Sequence, residues 1–451
     1  MREGFSSSNV KFFCAQNPPR WCWPGFRVEK LAGKLSHLPV LKTIRRGEYV
    51  ELVVLFFIQG AALGAWFVPL SHVLHAHGLI SIRPFAFAAS ATAAFVSPLI
   101  FGAMADRHAS PVKVLRGLSL ATAATMLLAA ASIQFGWNKW LVLALIQAQA
   151  LCSSPSWSIS SAIVFSRLAD SQAEFGPIRA MATLGWMAGC WLVSALGADA
   201  STLACFTSAA LWLLVSGWTF FLPALATPKS AEQLKWHERL GLDALTLLEN
   251  RDHRVVFITV ALFAVPLAAF YPYAPMHLSD LGFQRTSAWM SLGQVTEIMA
   301  MAVLGGLLLR WRLKWIFGCG LACGIVRFVL SALDDRMWIL SGVVLHGCSF
   351  ALVFVTAQIY IDQRVPTAWR ARAQALISLM SGGVGNLTGY LSAGVWFRVC
   401  TENGVTHWSL LWGGLAVAVA VVFAYFQIAY HGRGVPPKRG ITEDLAGQDT
   451  K

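Results

Sequence analysis

The amino-acid sequence predicts an all-α membrane protein with twelve transmembrane helices in two six-helix bundles. Three observations carry this. Of 451 residues, 56% are hydrophobic and only 13% charged, with a mean hydropathy of +0.59, whereas a soluble domain carries about 25% charged residues. Apolar runs of the length that crosses roughly 30 Å of hydrocarbon recur twelve times. The runs divide six and six around a polar stretch from Thr227 to Asp252. A set of water-soluble domains is excluded, because each added domain demands more polar surface than this chain has.

Residues 1–48 hold nine Lys/Arg, Pro18, Pro19 and the stretch Trp21-Cys22-Trp23-Pro24, but no continuous apolar core of a signal peptide. They read as a basic cytoplasmic extension, either disordered or lying on the membrane surface against anionic lipid, rather than as a cleaved leader. Runs over 49–75, 83–105, 112–135, 140–168, 178–198 and 201–225 form the expected N-terminal bundle, 49–225. A cytoplasmic linker covers 226–252. Runs over 253–279, 286–310, 313–333, 337–364, 369–397 and 407–431 form the C-terminal bundle, 253–431, followed by a cytoplasmic tail, 432–451. Bundles of nearly equal length suit the repeated architecture in which one half rocks against the other, although six helices with short loops fill about this length in any fold.

Basic residues outnumber acidic ones 35 to 22. They are spread over short connectors, which argues for topology rather than for a nucleic-acid partner. With the N-terminus inside, 29 of the 35 Lys/Arg fall on the cytoplasmic side and five outside, namely Arg83, Lys139, Arg285, Arg336 and Arg398. Both termini are therefore expected in the cytoplasm. The nine cysteines include no CxxC and mostly lie in apolar runs, so neither a disulfide framework nor a zinc site is expected.

A carboxylate in the middle of a membrane helix is costly unless paired or protonated, so it is a functional candidate by default. Of 22 acidic residues, Glu297 is the one deep carboxylate; Glu51 and Asp362 lie within about a turn of the cytoplasmic surface. Gln294 stands three residues before Glu297 and shares its helix face. A packing role for Glu297 competes with proton coupling. Arg327 can snorkel or neutralise an acid such as Glu297, with structural and coupling roles equally open. His346 fits helix packing as well as a polar cavity. His72, His75 and His77 close the first run without a carboxylate or cysteine at ligand spacing, which reads as a hydrated helix end and not a metal site. Gly382, Gly383, Gly385, Gly389 and Gly394 permit close helix contact rather than phosphate binding. No nucleophile or metal cluster converges at one depth, so an enzyme is not expected.

The connector Gly102-Ala103-Met104-Ala105-Asp106-Arg107, with Lys113 and Arg116 after it, resembles the loop motif of the major facilitator superfamily, in which charges form a cytoplasmic gating latch. Within that superfamily, residues 45–430 resemble the nucleoside:proton symporter family. The carrying stretches are Pro177 to Trp186, Leu242-Asp243-Ala244-Leu245, the Gln294/Glu297 segment and Arg370 to Ala375. The resemblance implies a proton-coupled importer of a small polar solute, most simply a nucleoside, in a bacterial cytoplasmic membrane. It places Arg179, Thr183, Trp186, Gln294, Glu297, His346 and Phe350 at substrate positions, with Glu297 coupling the proton. The sequence departs from the family at Ala268-Ala269-Phe270-Tyr271, where polar amides are usual, at Trp186 for Phe, at His346 for Tyr and at Ala351 for an acid. The fifth-run face Arg179, Thr183 and Trp186 equally resembles oligosaccharide:proton symporters, since an indole stacks on a sugar as on a base. A non-transporting sensor on the same fold is a further alternative. The expected unit is a monomer in lipid, with protons and a nucleoside or sugar as ligands and no cofactor.

Overall fold

In the computed structural model the described residues are 49–107, 110–168, 171–222, 242–366 and 369–432, with backbone alone for 97–107, 171–173, 177, 309 and 371. The basic extension 1–48, most of the linker and the tail from 433 lie outside the described residues. Helix dominates what is described, as a bilayer requires: without water, a spanning segment must satisfy its own N–H and C=O groups.

In chain order the helices are α1 (Val50–Phe67), α2 (Leu70–Ala76), α3 (Arg83–Arg107), α4 (Pro111–Gln134), α5 (Lys139–Phe165), α6 (Ser171–Ala195), α7 (Leu203–Trp218), α8 (Arg251–Leu267), α9 (Phe270–Asp280), α10 (Thr286–Met290), α11 (Leu292–Arg310), α12 (Leu313–Ala332), α13 (Arg336–Phe350), α14 (Thr356–Arg364), α15 (Arg370–Ser378), α16 (Asn386–Val399) and α17 (Trp408–Ala429). A π-helical turn, Ala351–Val355, joins α13 to α14, and another, Leu379–Gly385, joins α15 to α16. Among the described residues, seven stretches are long and apolar enough to cross a membrane: Val50–Ala76, Pro111–Gln134, Arg251–Asp280, Thr286–Leu308, Leu313–Ala332, Arg336–Arg364 and Trp408–Ala429. The only sheet among the described residues is the ribbon Thr401–Glu402 against Val405–Thr406.

Local chemistry starts and stops these helices. Ser110, Asn138, Asn250 and Asp335 are N-caps whose side-chain oxygens accept the first free backbone N–H groups of α4, α5, α8 and α13. Gly136 and Gly197 end α4 and α6 with φ of 64° and 63°, a left-handed turn that a side chain resists.

Three boundaries differ from expectation. The helix expected from 178 begins at Ser171, which places Arg179 just over two turns inside α6 rather than at its mouth. The run expected over 201–225 is helical only from Leu203 to Trp218. The run over 253–279 starts at Arg251 and is interrupted between α8 and α9, where Pro266 and Pro272 each withhold a backbone N–H.

Two buried clusters are built mainly from residues before 222, one around Leu52, Phe56 and Trp212 and one around Trp66, Phe87 and Ile146. A third is built mainly from residues after 243, around Phe263, Phe317 and Trp412, and also takes in Val68 and Cys190. Inside the first half, α1 and α6 touch backbone to backbone. A Cβ on Gly60 would lie 2.0 Å from the Ala182 carbonyl oxygen, and one on Gly185 2.0 Å from that of Phe57. These two glycines are obligatory, since no side chain fits the contact. In the glycine-rich stretch, Gly383, Gly385, Gly389 and Gly394 sit in comparably tight contacts, whereas Gly382 faces open space.

The halves meet through hydrogen bonds gathered at one end, the end that charge bias assigns to the outside. Ser71 Oγ donates to the Pro272 carbonyl, Thr286 Oγ1 pairs with His72 Nδ1 at 3.3 Å, and Trp191 Nε1 donates to Ser291 Oγ at 2.9 Å. Asp199 Oδ1 accepts from the Ser287 N–H at 2.7 Å and Ser194 Oγ from the Ala288 N–H at 3.0 Å, so the first half caps α10 of the second. His75 and His77 form the expected exposed helix end, but His72 is buried in this junction, which corrects the hydrated reading for that residue.

Candidate functional site

A cavity of about 210 Å³ lies where α1, α5 and α6 face α9 and α11. Its lining is Gly60, Leu63, Trp157, Arg179, Ala182, Thr183, Trp186, Tyr271, Gln294 and Glu297. Five expected site residues, Arg179, Thr183, Trp186, Gln294 and Glu297, are thus brought together from helices more than 100 residues apart in sequence.

The wall from the first half is cationic and aromatic. Spacings of four and three put Arg179, Thr183 and Trp186 on one face of α6. The Arg179 guanidinium lies 4.2 Å from the centre of the Trp157 ring, a cation–π contact that holds it against α5. Trp157 is anchored in turn by an edge contact with Phe56, 5.2 Å between centroids. Trp186 makes edge contacts with Phe67 and Tyr271 at 5.9 and 5.8 Å. Its indole N–H is buried without a protein acceptor among the described residues.

The facing wall carries the carboxylate. Gln294 lies 3.3 Å from the Tyr271 hydroxyl. With its amide nitrogen donating to the Met290 and Ser291 carbonyls at 3.3 and 3.2 Å, its oxygen is left to accept from Tyr271. Glu297 stands one turn further along α11 and interacts electrostatically with Arg179 across the cavity. Its backbone is fixed by α13: a Cβ on Gly347 would lie 2.1 Å from the Glu297 nitrogen.

His346 and Phe350 are not in the lining. His346 is buried behind Tyr271, stacked on Phe270 with centroids 4.1 Å apart and edge-on to Tyr271 at 5.9 Å. Arg327 neither snorkels nor pairs with Glu297. It is 1% exposed, its Nη1 lies 2.5 Å from His346 Nδ1, and its guanidinium covers the Phe270 ring at 4.3 Å. A helical turn cannot tell the face that lines a cavity from the face one layer behind it. That is why the sequence left His346 and Arg327 open between packing and site roles. Trp157 was missed for the converse reason, since an aromatic ring in an apolar run carries no polar mark, and Tyr271 entered only as a departure from the family's amides.

Of the expected gating residues, Gly102, Asp106 and Arg107 have side chains outside the described residues. Lys113 is exposed in the first turn of α4, its backbone N–H held by the Ser110 cap at 3.4 Å. Arg116 turns away to Thr219, donating to its hydroxyl at 2.8 Å, and covers the Phe220 ring at 3.6 Å. In the second half, two of the motif stretches meet: Arg372 pairs with Asp243 at 3.9 Å, while Arg370 pairs with Asp362 at 3.8 Å.

A helical membrane fold whose two halves close over a polar, ring-walled cavity with a carboxylate defines a solute carrier. The family model described as Nucleoside H+ symporter matches residues 47–432, and the chain belongs to that family. YegT of Escherichia coli (strain K12) is 34% identical over 400 residues, covering 84% of this chain and 93% of that protein. The nucleoside permease NupG of the same organism is 25% identical over 402 residues, covering 83% of this chain and 94% of the permease. The fold matches the crystal structure of the nucleoside transporter NupG with a TM-score of 0.76 at 24% identity, over 85% of this chain and 99% of that one.

Proposed function

We propose that the protein carries nucleosides across the membrane with protons by alternating access, and that the cavity between α6 and α11 is its binding site. The observation that carries this is the joining of Arg179, Thr183 and Trp186 with Gln294 and Glu297 in one small cavity of a family member. A volume of about 210 Å³, below the roughly 300–1,000 Å³ of drug-sized sites, suits one compact solute better than an oligosaccharide. In this reading the base lies against Trp186 and accepts from its free indole N–H, and the ribose hydroxyls meet Gln294 and Glu297.

Glu297 is the proposed proton carrier. Ionised, it attracts Arg179 and draws the two walls together; protonated, it loses that attraction and becomes a donor to the solute. The proposed frame is twelve spans in two six-helix bundles, 49–225 and 253–431, working as a monomer in a bacterial cytoplasmic membrane with both termini inside. The charge bias supports this orientation, and the closure of the end bearing His72 and Asp199 then makes the state closed to the outside. Uptake of labelled uridine, adenosine and a disaccharide panel, with and without a protonophore, tests the assignment. Nucleoside accumulation abolished by the protonophore is expected. Disaccharide uptake overturns the substrate class, and ligand binding without flux overturns transport.

A further inference from the structure

A second cavity, about 440 Å³, opens at the end of the molecule that carries His72, between α3 and α16. Its charged groups are Arg83 and Arg398, and its walls include Phe85, Tyr273, Leu391 and Val395. Arg83 is the anomaly. It is 1% exposed, and none of its three guanidinium nitrogens meets an acceptor among the described residues. Its neighbours are ring faces, Tyr273 at 5.8 Å and Phe397 at 5.4 Å. Four acids of this end are engaged elsewhere: Asp199 caps α10, Asp335 caps α13, Asp280 accepts from the Trp408 indole at 2.9 Å, and Asp334 bonds His277 at 2.7 Å; Glu402, in the ribbon after α16, is exposed.

Local sequence builds this arrangement. Arg83 opens α3 and Pro84 follows, and the proline ring seats on Gly394, where a Cβ would lie 2.3 Å from Pro84 Cγ. The close contact wedges Arg83 between the halves and aims it into the cavity. A buried guanidinium without an acceptor is strongly unfavourable, whereas a planar fork facing a tetrahedral oxyanion is among the strongest polar contacts available.

We propose that this cavity binds the phosphate headgroup of an anionic phospholipid. Phosphate chemistry alone would also admit the free ion, but the flanks favour a lipid. Arg83 begins its helix and Arg398 stands one residue before the end of α16, so both lie at headgroup level. Val395 and Leu391, about one and two turns back along α16 from Arg398, are 53% and 36% exposed, and Phe85 is 47% exposed. These apolar side chains continue from the charged pair to acyl-chain depth.

The test uses the full chain, purified in mild detergent and stripped of lipid, with dioleoyl phosphatidylglycerol, dioleoylglycerol and inorganic phosphate as separate probes. Retained lipid is read by native mass spectrometry and stability by the thermal unfolding midpoint. Phosphatidylglycerol is expected to be retained and to raise the midpoint, with dioleoylglycerol and inorganic phosphate ineffective. Arg398→Gln should weaken phosphatidylglycerol binding about tenfold and Arg83→Gln more, with Arg83→Lys between wild type and Gln. Lys139→Gln should leave binding unchanged. Arg398 is exposed, so its variant decides the question even where Arg83→Gln does not fold. Equal retention of dioleoylglycerol, or phosphatidylglycerol binding unchanged in Arg398→Gln and Arg83→Lys, overturns the site. Stabilisation by inorganic phosphate equal to that by the lipid overturns the lipid as occupant.

Discussion

The two walls of the central cavity are built differently. On the first half, Arg179, Thr183 and Trp186 ride on an unbroken helix clamped to α1 through Gly60 and Gly185, and Trp157 holds the arginine from α5. On the second half, Tyr271 sits just after the break between α8 and α9, and Gln294 and Glu297 follow the short helix α10. Behind them Arg327, His346 and Phe270 form a buried polar-aromatic layer. One wall is a rigid platform of rings and positive charge. The other joins a titratable carboxylate to helix ends that also make the contacts closing the molecule, through Ser287, Ala288 and Ser291. Under the proposed function this difference divides the labour, the first wall meeting the solute and the second carrying the proton, while α6 shares the closing contacts through Trp191 and Ser194.

The largest expected effect breaks the second wall's role. Glu297→Gln keeps the side-chain shape but cannot ionise, so proton-driven accumulation of labelled uridine should fall to the level seen with a protonophore, while counterflow exchange persists. PH-dependent accumulation at the wild-type level in that variant would remove Glu297 from coupling. On the first wall, Trp186→Ala should weaken nucleoside binding by about 1–3 kcal/mol, roughly five- to 150-fold, with Trp186→Phe retaining the stacking part. Equal affinities by calorimetry for wild type and Trp186→Ala would make the ring a packing element.

Rigidity of the platform is sharpened by Gly185→Ala, whose methyl meets the Phe57 carbonyl. Overpacking of this kind costs about 1–3 kcal/mol and should lower the unfolding midpoint, whereas Gly117→Ala, facing open space, should not. Gly347→Ala is the matching probe on the second wall and should depress uptake through displaced Glu297. The smallest effect is expected at the closing end: Asp199→Ala removes the cap of α10, worth about 1 kcal/mol, and should shift cysteine accessibility toward the open form at that end without loss of folded protein. An unchanged labelling ratio would separate the cap from closure.

Much of this could be read without coordinates, because the bilayer imposes strong rules. A spanning segment must be helical and apolar, so run length and hydropathy located most of the helices to within a few residues, the start of α6 and the end of α7 excepted. Glu297 stood out because an acid in an apolar run is rare, whereas the α6 face followed from the family resemblance, with which helical spacing agrees. The boundary of α6 was harder: the expected run begins at 178, after Gly176 and Pro177, yet α6 runs through them from Ser171. The interruption after Leu267, in contrast, lay in a continuous apolar run where proline was the only mark.

The chain's own order therefore determined its medium, its helices and the chemical types available at each depth, since these depend on properties summed along short segments. Partnership was decided only in three dimensions. Arg179, Arg327 and Arg83 are each a lone basic residue in or beside an apolar run, yet one faces Glu297 across a cavity, one is sealed against His346 and one lies between ring faces at the helix ends. Their fates depend on which helix packs opposite, and that is set by contacts such as Gly185 on Phe57, Gly347 on Glu297 and Gly394 on Pro84. Local sequence gives a charge its depth, but its field comes from neighbours on other helices, and in a low-dielectric interior that field decides what the charge does.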